Sequence, residues 1–216
     1  LITPVLFFLS CNNANSQTEN YEITSEPPTT IGNIALPAGF MRTGESAGSF
    51  ASYLRSLPLK KDKTVYLYNG QKKTNQTAQY AVIDISTGNK NLQQCADAVM
   101  RLRAEYLKST ARPICFADNA NKQYCWHNYQ NRGWQSYLET VFGMCGTLSL
   151  EKQLKPKSWD KLAIGDVMIK GGSPGHAVIV VDIAKHKSTG ETIFLMAQSY
   201  MPAQDTHILL NMNEND

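Results

Sequence analysis

The chain of 216 residues lacks a charge bias, metal-ligand spacing and any long apolar run. Twenty-one Lys and Arg stand against eighteen Asp and Glu, a formal net charge of +3, and the basic residues are scattered. A nucleic acid surface needs clustered basic side chains, so no nucleic acid partner is expected. No HxxxH or CxxC spacing occurs, which leaves no expected metal site. Gly171, Gly172 and Gly175 join two apolar stretches instead of opening a helix, so they form no nucleotide fingerprint. Neither a nucleotide nor any other cofactor is expected. No internal repeat is visible, and the apolar run Leu1 to Leu9 is too short to span a bilayer. What is present, a 42% hydrophobic composition, supports one ordinary core and one substantial domain.

The first eleven residues, LITPVLFFLSC, read as the end of an export signal. Phe8-Leu9-Ser10-Cys11 resembles a bacterial lipobox, which makes Cys11 the expected lipid attachment site. Residues 12–30 are polar, cannot bury a core, and read as a disordered tether. Residues 31–216 are then a single α+β domain, with Leu1 and the terminal NMNEND both read as cut edges. The expectation is an exported protein of the bacterial cell envelope, held to a membrane by its lipid. Export permits disulfides. Cys115 and Cys125 flank FADNANKQY and are placed to face each other across a hairpin, although four cysteines allow three connectivities. With that bridge made, Cys95 and Cys145 stay free.

Ser49 to Leu57 reads as a short helix stopped by Pro58. Thr64–Tyr68 and Tyr80–Ile85 read as strands, with Asn69-Gly70 as a turn. The strongest helix is NLQQCADAVMRLRAEYLK, with Asn91 as N-cap and Gln94 three residues on. Leu92, Cys95, Val99, Leu102 and Tyr106 share one of its faces. A strand near Arg112–Phe116 and helices over Trp134–Met144 and Leu148–Leu154 follow. Asp166–Lys170, His176–Asp182, Thr192–Ser199 and Thr206–Asn211 then read as an antiparallel meander, because their connections are short. The expected class is α+β, helices first and meander last.

His176 opens the apolar strand that follows GGSPG. Across the hairpin to the next strand lie Gln198 and Ser199, and a one-residue slip exchanges them, so the pattern leaves open which one meets His176. Cys95 falls in the first turn of its helix, where free N–H groups and the helix dipole favour a thiolate. Cys95 as nucleophile, His176 as base, and Gln198 or Ser199 as orienting group form a cysteine-hydrolase order. Gln93 or Gln94 is the candidate oxyanion donor. The alternative role for Cys95 is core filling, since cysteine is often buried and this one lies on an apolar helix face.

The segment IGDVMIKGGSPGHAVIVVDIA resembles the Gly-Asp-strand-turn-His-strand stretch of NlpC-like and CHAP-like cell-wall peptidases, at Gly165, Asp166 and His176. That resemblance implies a papain-like arrangement and a cell-wall peptide substrate. Gln94-Cys95-Ala96 departs from their usual cysteine surroundings. Over a longer range, YLRSLPLKKDKTVYLYNG, NLQQCADAVMRLRAEYL, GDVMIKGGSPGHAVIVVD and AQSYMPAQDTHILLN resemble a family of bacterial envelope proteins labelled as a domain of unknown function. This resemblance implies export or a lipid anchor, and no activity.

Two function classes follow. One is a lipid-anchored cysteine hydrolase acting on amide bonds. The other is a non-catalytic envelope domain that binds a glycan, peptide or protein, with the aromatics of QYCWHNYQNRGWQSY lining its groove. Those aromatics read more simply as core and rim packing. His127 and His207 read as structural or exposed.

Overall fold

The computed structural model describes residues 27–211. Cys11 and most of the expected tether lie outside the described residues. The elements run β1 (Phe40–Arg42), α1 (Phe50–Ser56), β2 (Gln79–Val82), α2 (Cys95–Ser109), β3 (Cys115–Ala117) and β4 (Gln123–Cys125). Then come α3 (Trp134–Met144), α4 (Thr147–Gln153), β5 (Val167–Lys170), β6 (His176–His186), β7 (Thr192–Gln198) and β8 (His207–Leu209). The class is α+β, as expected. No helix among the described residues is long and apolar enough to cross a membrane.

β5 to β8 form the expected meander, each strand antiparallel to the next. Helices α1 to α4 precede that meander, as expected, and β1 and β2 from the N-terminal half complete the same sheet. Its order is β1-β6-β7-β8-β2, and β5 also pairs with β6. β6 is long enough to hold two partners on one edge. β5 takes its first residues, His176 to Ile179, and β1 takes its last, Ala184 to His186.

Asp182 lies between those two pairings, 2% exposed. Its carboxylate accepts from Arg42 Nε at 2.8 Å and Arg55 Nε at 2.6 Å. The ion pairs therefore tie β1 and α1 to β6 where that edge has no strand partner. Arg55 also pairs with Glu45.

α2 is the central helix. The expected apolar face is present, with Val99, Leu102 and Tyr106 buried, but Ala96, Ala98, Met100 and Ala104 are buried too. Small alanines let α2 pack the sheet on one side and the other helices elsewhere, so burial runs around most of its circumference. One expected strand is absent: Thr64–Tyr68 makes only isolated bridges. The amide side chain of Gln76 takes the strand's place, accepting from Val65 N at 3.0 Å and donating to Val65 O at 2.9 Å. The expected turn does form, with Gly70 N donating to Leu67 O at 2.9 Å.

The Cys115–Cys125 disulfide is made, across opposed residues of the β3–β4 hairpin. Cys95 and Cys145 are free.

Candidate active site

α2 begins later than its sequence pattern suggests. Gln94, not Asn91, is the N-cap, and the Asp97 carboxylate accepts from Gln94 N at 3.0 Å. Asn91 is used elsewhere: its side-chain oxygen accepts from Ala203 N at 2.7 Å. Cys95 is therefore the first residue of the helix, where backbone N–H groups have no intrahelical partner.

The sulfur uses those groups. N–H groups of Ala96, Ala177 and Cys95 itself are directed at it and favour the thiolate. Burial acts the other way and wins, with a smaller push from the Asp97 carboxylate, so the Cys95 thiol is raised from its ordinary value. The N–H groups at the helix start favour the thiolate as expected, and burial outweighs them.

The Ala177 N–H also locates the thiol, against the start of β6 one residue after His176. His176 is placed by the loop before it. A Cβ on Gly175 would fall 2.3 Å from Thr147 Oγ1 and 2.4 Å from Gly172 O, so only glycine fits there. The Thr147 hydroxyl donates to Gly172 O at 3.2 Å, and Glu151 accepts from Gly171 N at 3.0 Å. α4 thus fixes the GGSPG loop, and the loop fixes the start of β6. Asp166 closes the turn into β5, accepting from Ala163 N and Lys157 Nζ, both at 2.7 Å.

The partner of His176 is Gln198. Its Oε1 lies 2.7 Å from His176 Nε2. A bulge near Val181 shifts the β6–β7 register so that Ile179 faces Ala197. Continuing that register sets Gln198 beside Val178, on the face that His176 shares. Ser199 points the other way, is fully buried, and donates to Gln93 O at 3.1 Å and Gln204 O at 2.8 Å. The ring of Tyr200, exposed at the surface, meets His176 edge-on with centroids 5.1 Å apart. His176 Nδ1 is buried and has no hydrogen-bond partner.

Of the two oxyanion candidates, Gln94 serves the helix cap. Gln93 is 1% exposed, accepts from Arg101 Nη1 at 3.1 Å, and keeps an unpartnered Nε2. One feature escaped the sequence reading: His207 is fully buried on β8 and joins Gln198, with the Gln198 amide nitrogen 3.4 Å from His207 Nε2. His127 is exposed.

Trp126, Trp134 and Tyr137 pack on one another with centroids 5.1–5.5 Å apart, and Trp134 Nε1 donates to Glu105 at 2.9 Å. They are packing residues. A concavity of about 420 Å³ is lined by Tyr53, Pro58, Asp84, Arg101 and Glu105 among others, and neither Cys95 nor His176 lines it. Among the described residues no group of three or more His, Cys, Asp or Glu is placed to hold a metal ion.

A family model described as "Domain of unknown function (4846)" matches residues 31–132 and 114–216. No curated protein and no solved structure matches the chain.

Proposed function

We infer the activity from the site alone, because the chain belongs to the family described as domain of unknown function 4846, a description that carries no activity. The reading is a cysteine hydrolase acting on amide bonds, in a papain-like arrangement. One observation carries it. His176 Nε2 is engaged by Gln198 at 2.7 Å while Nδ1 is left without a partner, next to a residue whose N–H is aimed at the Cys95 sulfur.

In this reading the Cys95 proton passes to His176 Nδ1 as Sγ attacks the amide carbon. The carbonyl oxygen becomes an oxyanion, held by the N–H groups at the start of α2, and Gln93 Nε2 is a further candidate donor. The carbon–nitrogen bond breaks, and His176 returns its proton to the leaving amine. Water then adds to the thioester, giving its proton to His176, and the acid product leaves as Sγ recovers a proton. Gln198 keeps the imidazole in position throughout. Ser199, with its hydroxyl occupied by two carbonyls, has no part.

The rival reading is a domain that only binds a glycan, peptide or protein. Against it stand a free, partly buried Cys95 and aromatics that spend their faces on each other. A lipid anchor at Cys11, an envelope location and a cell-wall peptide substrate belong to this proposal as well. They rest on the lipobox-like FLSC and on the segment around His176. The direct test is hydrolysis of cell-wall peptides by the full chain, with Cys95→Ala and His176→Ala as controls. Turnover lost in both supports the reading, and turnover retained in Cys95→Ala ends it.

A further inference from the structure

We propose that buried His207, acting through Gln198, sets the tautomer of His176 and so leaves Nδ1 as the nitrogen able to take a proton. The proposal deepens the hydrolase reading, and its use in catalysis rests on that reading. Its geometry does not.

The chain of constraint starts at a backbone carbonyl. His207 Nδ1 lies 2.9 Å from Asp205 O, which can only accept, so Nδ1 carries the hydrogen. Burial holds the ring neutral, pushing His207 down to about 4; Lys73 adds to this push, while the bond to Asp205 and the Asp205 charge oppose it. In a neutral imidazole the other nitrogen accepts, so His207 Nε2 presents a lone pair. Gln198 faces His207 directly in the β7–β8 register and donates to that lone pair from Nε2, at 3.4 Å.

That choice fixes the whole amide. With its nitrogen toward His207, Gln198 turns Oε1 toward His176 Nε2 at 2.7 Å. An amide oxygen only accepts, so His176 Nε2 must carry a hydrogen. The neutral ring then has its lone pair on Nδ1, the buried nitrogen with no partner. A flipped Gln198 would set its oxygen against the His207 lone pair, two acceptors facing each other in a buried place. One proton on β8 therefore dictates where the proton sits on β6, two strands away. His207 is a positioning residue.

Nitrogen-15 long-range NMR of the imidazoles in full-length Cys95→Ala protein, at about pH 8.5 where imidazoles are neutral, tests this without substrate. Removing the thiol keeps His176 from taking its proton. The expected spectrum has His207 as the Nδ1–H form and His176 as the Nε2–H form. A His176 that carries its hydrogen on Nδ1, or an even mixture, overturns the proposal. In the Cys95→Ala background, His207→Phe is expected to mix the His176 tautomers, and His207→Gln, which returns an acceptor oxygen, to restore them. On the Cys95-containing chain the same changes are expected to slow alkylation of Cys95 roughly tenfold and to recover it, the loss of about one hydrogen bond. A His207→Phe protein that fails to fold leaves the Cys95→Ala spectrum to decide. The two readings also fail separately. Expected tautomers with a wild-type Cys95 inert to alkylation keep the relay and remove the hydrolase. A reactive Cys95 beside an Nδ1–H His176 does the reverse.

Discussion

Cys95 stands between opposing demands: burial keeps its proton on, while three N–H groups at the sulfur draw the proton off. Burial prevails, so a reactive thiolate needs somewhere for the proton to go, and the proposed reading assigns that part to His176. The expected outcome is a wild-type Cys95 that iodoacetamide alkylates readily at pH 7. In His176→Ala the reaction should be at least about tenfold slower at that pH, and its rate should keep climbing past the ordinary cysteine value of about 8.5. Identical pH–rate curves for the two proteins would reduce Cys95 to a packing residue. That His176 meets a polar residue across the β6–β7 hairpin was legible, because short connections and alternation carry it. The choice between Gln198 and Ser199 was not, because alternation flips with a single slipped residue and the bulge near Val181 supplies one. His207 was out of reach for a related reason. A histidine becomes a buried relay only when three strands meet around it, and nothing local marks that.

Most elements were readable, the short α1, α4, β5 and β8 included, while β1 and the partner of β2 were not. α3 matches its expected Trp134–Met144 span, because its periodicity extends over three turns. β1 and β2 are three and four residues long and find partners more than a hundred residues away, so their pairing leaves no local pattern. What holds β1 in place is Asp182 rather than strand length. Its carboxylate is 2% exposed and neutralises guanidinium groups from β1 and α1. Asp182→Ala would leave two largely desolvated charges short of a partner, at an expected cost of about 3–5 kcal/mol. The solvent-facing pair of Lys90 with Glu139, in which the lysine side chain is 59% exposed, sets the contrast. Lys90→Ala should cost less than about 1 kcal/mol. Urea unfolding of both variants measures the two costs on one scale, and similar midpoint shifts would contradict the role given to Asp182.

At the scale of the molecule, two buried groups, Asp97 and His207, pull stability in opposite senses as pH changes. Burial raises Asp97 from 3.8 to about 7. Between those values the folded chain keeps a proton that the unfolded chain has released, so stability falls as pH rises through the interval. His207 is lowered from 6.5 to about 4, again by burial. Between those values the unfolded chain holds a proton that the folded chain refuses, so stability falls as pH drops through the interval. From about pH 4 to 6.5 the two slopes oppose each other, each near 1.4 kcal/mol per pH unit where its interval is fully open. These groups then leave a nearly flat profile. At the alkaline end the cancellation has no counterpart: burial raises Cys145 and Tyr53 to about 12 and Tyr137 further, and stability given by their neutral forms is lost as pH climbs through those values. Asp97→Asn removes one arm of the acid balance. Its unfolding free energy is expected to rise by about 1.4 kcal/mol per unit between about pH 4.5 and 6, the slope of His207 alone, while wild type stays level. Urea titrations at about pH 4.5, 5.5 and 6.5 on both proteins read the difference directly. Parallel profiles would show that Asp97 carries no proton in the folded chain over this range, and that the carboxylate beside Cys95 is charged.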